Sequence, residues 1–425
     1  MKQSKLSLLA FLAIPLLSGC STNDAGSVTL TVWEDQSNVA VVQELCDEFV
    51  RLYSETYHDV ELNVVVEAHK EKSAIEDMAS GKAEAGEGPD IAAVTHDTIA
   101  SGVTNQLVAK VSFSDALKAR MTEAAMNAVT VNDEFGNGVV YGYPITAESV
   151  TIMYDKTKIS AAELASFEAL KESGKKIAWP LSGDDAGYYT WGLFTDSVLF
   201  GANGKDTATV NIGTDQSSKN VKLFFDNYLD SIRDLSPETA LSYVNNGSVA
   251  GIVTSPFMLN DMQNALGSNL ALAPLPTLNG QTLNPFSGYK AYVVSRYSKH
   301  GAIAQELCNY ITSYDANLYR LTQKGYLPAV PLNANERIER AINNSEFAKV
   351  FKESLEVSRV MPNIAEMRNF WSPMNNAIGN FKDTSVTKIR LSNNTELTIR
   401  DGEGKLIENA IKTALGEVTN KLLGK

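Results

Sequence analysis

Short runs rich in β-branched residues alternate with longer stretches of helical periodicity along almost the whole chain, and that alternation admits few folds. Residues 28–33 (VTLTVW) read as a strand, residues 41–53 carry apolar side chains at helical spacing, and residues 60–66 read as a second strand. Residues 75–79 are helical again, and residues 90–94 return to a strand pattern after Gly88-Pro89. This β-α-β-α-β order predicts an α/β lobe on a largely parallel sheet. Residues 155–204 and 221–256 continue the alternation, while residues 299–322 and 336–357 read as helical. Near the end, residues 388–400 predict a small hairpin around Asn393-Asn394, followed by an amphipathic helix over residues 406–423. A chain of 425 residues is too long for one ordinary core and suits two lobes.

The amino terminus predicts the compartment. Lys2 and Lys5 precede an apolar run from Leu6 to Leu17, whose twelve residues fall short of the roughly 20 a membrane-spanning helix needs. The run ends in Leu17-Ser18-Gly19-Cys20, which resembles a bacterial lipobox. Residues 1–19 are therefore expected to be a lipoprotein signal peptide, with Cys20 lipidated and residues 20–27 a small, polar tether. The expected location is the extracytoplasmic face of the cell membrane.

Charge and cysteine usage exclude several classes. Fifty acidic against 37 basic side chains give a net charge of −13, which opposes nucleic acid and anionic lipid as partners. Only Cys46 and Cys308 remain besides Cys20, so there is no disulfide framework, and the four histidines are scattered without metal-ligand spacing. Neither a metal nor a cofactor is expected.

What the chain does offer suits a sugar. A pyranose presents a C–H face to flat aromatics and vicinal hydroxyls to short polar side chains, and it needs no nucleophile. Asp35 ends a strand, Asp97 follows one, and Glu148 comes after Tyr143-Pro144. Tyr188-Tyr189 precede Trp191, Phe257 follows Ser255-Pro256, and Trp371 follows Phe370. Each aromatic alone is more often a core residue, and each acid alone more often a solvated charge.

Six motifs in order resemble the maltose-binding protein family of sugar receptors. They are Gly88-Pro89-Asp90-Ile91 with His96-Asp97, Tyr143-Pro144-Ile145 with Glu148, Tyr188-Tyr189-Thr190-Trp191, Ser255-Pro256-Phe257, Leu275-Pro276-Thr277, and Met361-Pro362-Asn363-Ile364 through Trp371. Phe286-Ser287-Gly288-Tyr289-Lys290 and Trp371-Ser372-Pro373 are similar to segments of Gram-positive maltodextrin-binding lipoproteins. The resemblance implies a two-lobe α/β, periplasmic-binding-protein-like fold with a three-segment hinge and an interlobe cleft. Residues 28–146 with 289–339 would form the first lobe, and 149–286 with 344–425 the second. The crossings are expected near residues 146–149, 287–291 and 338–344.

The same resemblance assigns roles. Asp97 would bind hydroxyls from the first lobe, Glu148 would contact the sugar at the hinge, and Asp35 would add a polar contact. Tyr188 with Tyr189, Phe257 and Trp371 would supply aromatic platforms, and Met361 would line the cleft. It implies a monomeric receptor, without catalytic residues, that delivers a maltodextrin-like oligosaccharide to an ABC permease. Four positions depart from the family: Val94 replaces a tryptophan, Thr98 an arginine, Ala186 an acid and Asn375 a basic residue. These losses favour a longer or differently linked glucan over maltose. A secreted glycosidase, a structural surface lipoprotein, and a receptor for a polyamine or metal ion are the rival readings.

Overall fold

The computed structural model describes residues 26–82, 86–112, 118–333 and 335–424. The expected signal peptide and Cys20 lie outside these residues. The tether is shorter than expected, because Gly26 and Ser27 already belong to strand Gly26–Glu34, opposite Val60 and Glu61.

Two sheets organise the chain. The first runs in the order Arg359–Val360, Phe286–Val294, Ile91–Thr95, Gly26–Glu34, Val60–Ala68, and strand Tyr143–Ser149 also pairs with Phe286–Val294. Its three amino-terminal strands are parallel, as the alternation predicts, and Phe286–Val294 runs antiparallel to them. The second sheet has the order Ile232–Arg233, Ile177–Ala178, Gly251–Thr254, Thr151–Asp155, Leu270–Ala273. Helix Val39–Thr56 shows how the first sheet is covered. Its buried residues Val42, Leu45, Cys46, Phe49 and Tyr53 fall on one helical face. They pack with Leu30, Val32 and Val64 beneath and with Leu307 and Cys308 of helix Gly301–Ile311 alongside. Cys46 and Cys308 are free, and burial pushes the Cys46 thiol up to about 12. The second sheet has its own core around Trp179, Phe167 and Phe224, closed by helices Asp215–Asn227, Trp371–Lys382 and Glu408–Leu422.

Apart from Arg359–Val360, which pairs only with the Phe286–Ser287 end of the first sheet, the chain passes between the sheets three times. Strand Tyr143–Ser149 belongs to the first sheet and Thr151–Asp155 to the second, so the first passage falls at Val150. The return leads from Leu270–Ala273 into Phe286–Val294. The third passage follows residue 326. Residues 327–329 run beside Tyr143–Ser149, with Ala147 N–H donating to Leu327 O and Ala329 N–H to Ile145 O. Helix Glu336–Asn343 follows, packed between helices Tyr314–Lys324 and Glu346–Glu356, with Arg337 paired to Asp315 and with Ile338 and Ile342 buried in a cluster drawn from both sheets.

Candidate functional site

Register decides which strand ends face each other. In the first sheet Lys290 pairs with both Thr95 and Thr146, so the ends that lead to Asp35 and Asp97 lie beside the crossing strands. In the second sheet Thr254 pairs with Thr151, and Gly251–Thr254 is parallel to Ile177–Ala178. The segments that carry Phe257 and Tyr188 therefore leave the second sheet at the edge where the chain enters it. Carboxyl-terminal strand ends are where α/β proteins usually hold ligands.

His96 and Asp97 lie on a short turn, His96–Thr98, directly after strand Ile91–Thr95. His96 is fully buried, and its Nδ1 accepts from the Tyr289 N–H at 3.1 Å. That bond places the ring proton on Nε2, which donates to Met361 O at 2.8 Å. Burial pushes the His96 pKa down, so the neutral ring is the stable form. The imidazole thus ties the first lobe, a crossing strand and the second lobe together, and leaves Asp97 half-buried at the surface of that junction. Met361 itself is buried; what it contributes here is its carbonyl. Two residues on, Asn363 Oδ1 accepts from Ala100 N–H at 3.1 Å and its Nδ2 donates to Ala128 O at 2.7 Å.

Asp35 is half-buried, and one carboxylate oxygen already accepts from Ser37 N–H and Ser37 Oγ at 2.9 and 2.6 Å. Glu34 beside it is buried and accepts from the Tyr292 hydroxyl at 2.6 Å, while Arg320 donates to the same hydroxyl at 3.0 Å. Asp90 of the Gly-Pro-Asp motif has a structural task, accepting from Thr31 N–H at 2.9 Å and from Ser298 Oγ at 2.5 Å.

The aromatic residues separate into two groups. Tyr188 is half-buried and stacks on Phe286, with centroids 6.2 Å apart. Its hydroxyl pKa is raised far above the usual range, chiefly by burial and then by the charges of Glu148, Asp97 and Asp185. One phenol from the second lobe therefore lies within electrostatic reach of acids from the first lobe and from the crossing. Trp371 and Phe257 are also half-buried, each packed on a core by one side. Tyr189 departs from expectation. It is only 5% exposed, packs in the second core with Trp179 and bonds to Thr254, so its neighbour Tyr188 holds the accessible face.

The four departures find structural explanations. Val94 and Ala186 are fully buried and fill core, and Thr98 Oγ1 donates to Thr95 O at 2.8 Å. Asn375 accepts from Gly187 N–H at 2.7 Å and donates to Asp184 O at 2.8 Å. It pins the segment carrying Tyr188, where a Cβ on Gly187 would come within 3.0 Å of Asn375 Oδ1.

Two further features escaped the sequence reading. Lys72 Nζ lies 2.6 Å from Asp185 Oδ1, joining a first-lobe turn to the second lobe across 113 residues of chain. Burial opposes the charged Lys72, but Asp185, Asp97 and Asp184 outweigh it and raise its pKa. On the same turn Glu71 points the other way, to Lys290 Nζ at 2.8 Å, and Lys290 also reaches Glu148 Oε1 at 3.4 Å. All three are nearly buried, and Glu71 is pushed up to about 7 by burial, against the pull of Lys290. A run reading His69-Lys70-Glu71-Lys72 looks like an ordinary solvated face, and nothing in its spacing signals either partner. A surface recess of about 280 Å³ lined by Asp155, Lys158, Asn245 and Asn269 sits at the far end of strand Thr151–Asp155 and includes none of these residues.

Two α/β lobes linked by three passages, with strand ends converging between them, define a two-lobe solute-binding fold. The chain belongs to the family described as bacterial extracellular solute-binding protein, which matches residues 48–341. It is 27% identical over 429 residues to the galactooligosaccharide-binding protein of Bacillus subtilis strain 168, covering 96% of this chain and 93% of that one. It is 24% identical over 408 residues to a maltooligosaccharide ABC transporter solute-binding lipoprotein of Streptococcus pneumoniae, covering 89% and 92%. Among solved structures, Streptococcus pneumoniae MalX in complex with maltopentaose superposes with a TM-score of 0.72 at 22% identity, covering 92% of this chain and 99% of that one.

Proposed function

We propose that this chain is the substrate-binding subunit of an ABC importer, lipid-anchored through Cys20 outside the cell, and that it captures a maltodextrin or related oligosaccharide between its lobes. The observation that carries the reading is the convergence of Tyr188 with Asp97 and Glu148, with half-buried Trp371 on the other side of Phe286. Aromatic faces with ionisable acceptors and no nucleophile suit hydroxyl-rich rings held without chemistry. The three passages near residues 149–151, 286–291 and 327–344 serve as the hinge, residues 26–146 with 289–326 as the first lobe, and 151–285 with 345–424 as the second. Closure on the ligand exchanges cleft water for protein contacts, and the closed monomer is the form a membrane permease reads.

A second ligand class has its own support, since the relative aligned over 96% of this chain binds galactooligosaccharides by name. A thermal-shift panel of maltose, longer maltodextrins and galactooligosaccharides separates the two. At 100 times its dissociation constant the right sugar adds about 2.7 kcal/mol to stability. Tri- and longer glucans should bind more tightly than maltose, and every sugar should be recovered intact. Hydrolysis products, or no shift with any oligosaccharide, would overturn the reading.

A further inference from the structure

The three passages between the lobes meet at one buried ammonium. Lys290 lies on the second passage, Glu148 on the first, and Tyr326, immediately before the third, places its ring 5.9 Å from Lys290 Nζ. Glu71 comes from the first-lobe turn that also carries Lys72. Two carboxylates therefore share one cation in a site almost closed to water, with Thr146 Oγ1 3.3 Å from Glu148 Oε1 as a further hydrogen bond.

Resting on the reading above, we propose that Glu71, Lys290 and Glu148 form a proton-coupled part of the sugar site, in which Lys290 aims Glu148 into the cleft and closure on the ligand drives a proton onto Glu71. The argument is a count of charge. With Glu71 ionised the cluster carries a net negative charge, and Glu71 competes with Glu148 for Lys290. With Glu71 protonated, Lys290 and Glu148 make a balanced pair, and Lys290 is free to hold Glu148 in one orientation. A sugar closing over the cleft removes water from the cluster, and lower local dielectric penalises the net-charged form more than the balanced one. The groups that face Glu71 are Lys290, Glu148, Glu34 and, through Lys290, Tyr326. Lys290 alone is cationic, and the acids around Glu71 push in the same direction as burial. Because burial with the lobes in contact pushes Glu71 up to about 7, proton uptake on closure falls near neutral pH. The sign follows: affinity is full below that pH and declines as pH rises through and above it. Lys290 is in these terms a positioning residue, acting on the sugar through Glu148.

Titration calorimetry tests this with the best-bound oligosaccharide of the panel at pH 7, in two buffers of different ionisation enthalpy, and across pH 6 to 8.5. The wild-type protein should take up a fraction of a proton and lose affinity several-fold over that span. Glu71→Gln keeps the shape and a hydrogen-bonding amide beside Lys290; it should bind the sugar with a flat pH profile and no proton uptake. Lys290→Met should weaken binding at every pH, with thermal melts confirming that the variant is folded. A flat wild-type profile, or a slope that survives in Glu71→Gln, overturns the inference while leaving sugar binding intact. A wild-type protein that binds no oligosaccharide at all removes the functional reading and this inference with it.

Discussion

Breaking the Lys72–Asp185 ion pair should loosen the closed receptor by a small, salt-dependent amount. The two residues belong to different lobes and approach to 2.6 Å, so separating the lobes must separate them. The pair therefore contributes to the closed form alone, and only such differential contacts shift an open–closed equilibrium. Its size is bounded by exposure. Lys72 and Asp185 side chains are 69% and 56% exposed, where such pairs are worth about 0.2–1 kcal/mol. The upper part of that range applies here, because Lys72 also feels the charges of Asp97 and Asp184. Lys72→Ala should then weaken sugar binding by roughly two- to fivefold at low ionic strength, mainly through faster release. The difference should shrink toward nothing at 0.5 M salt, since exposed charges are screened over a Debye length of about 8 Å already at physiological ionic strength. Exchanging the charges, Lys72→Asp with Asp185→Lys, should recover part of the loss. Calorimetry at two salt concentrations on the four members of the double-mutant cycle measures all of this. Two results refute the reasoning: zero coupling in the cycle, or a loss above about tenfold that salt does not change, which would make Lys72 a direct sugar contact.

Other changes have equally definite expectations. Trp371→Ala should weaken sugar binding by about 1–3 kcal/mol without unfolding the protein, because the ring is half-buried against Phe286 and Phe370; calorimetry and a thermal melt check both halves. Asn375→Ala removes the bonds to Gly187 N–H and Asp184 O and should cost about 1–2 kcal/mol of stability in denaturant unfolding, with weaker binding because Tyr188 sits on the released segment. Cys20→Ala should abolish incorporation of radiolabelled lipid in cells while the purified soluble domain binds sugar as before.

Periodicity made much of this fold legible, and it failed where the physics is not periodic. The pattern over residues 28–33 corresponds to Gly26–Glu34, residues 388–400 to the hairpin Lys388–Arg390 and Glu396–Thr398, and residues 406–423 to helix Glu408–Leu422. Each of these has its signal within a few neighbouring residues. Strands such as Ile177–Ala178 and Ile232–Arg233 span two residues, too few to show alternation. Helix Glu336–Asn343 was visible as a helix, but its packing between Tyr314–Lys324 and Glu346–Glu356 depends on which surfaces Ile338 and Ile342 reach. Tyr188 and Tyr189 are the same side chain side by side, and only the direction of a five-residue helix sends one to the core and leaves the other accessible. The charge partners were hidden most completely. Glu71 with Lys290 and Lys72 with Asp185 are far apart along the chain, and a lone surface-like acid or lysine carries no mark of its distant partner.

Asn363 gives the molecule a fulcrum. Its side chain grips Ala100 N–H and Ala128 O, and just before it Met361 O accepts from His96 Nε2–H, so a buried stitch of three hydrogen bonds crosses from lobe to lobe at one place. Hydrogen bonds of this length fail after a few tenths of an ångström of stretch. A swing that preserves them must turn about that stitch, and displacement then grows with distance from it, as along a lever. Such a swing is thereby amplified at the outer rims of the two lobes, so the largest displacements fall on the surface lying farthest from Asn363.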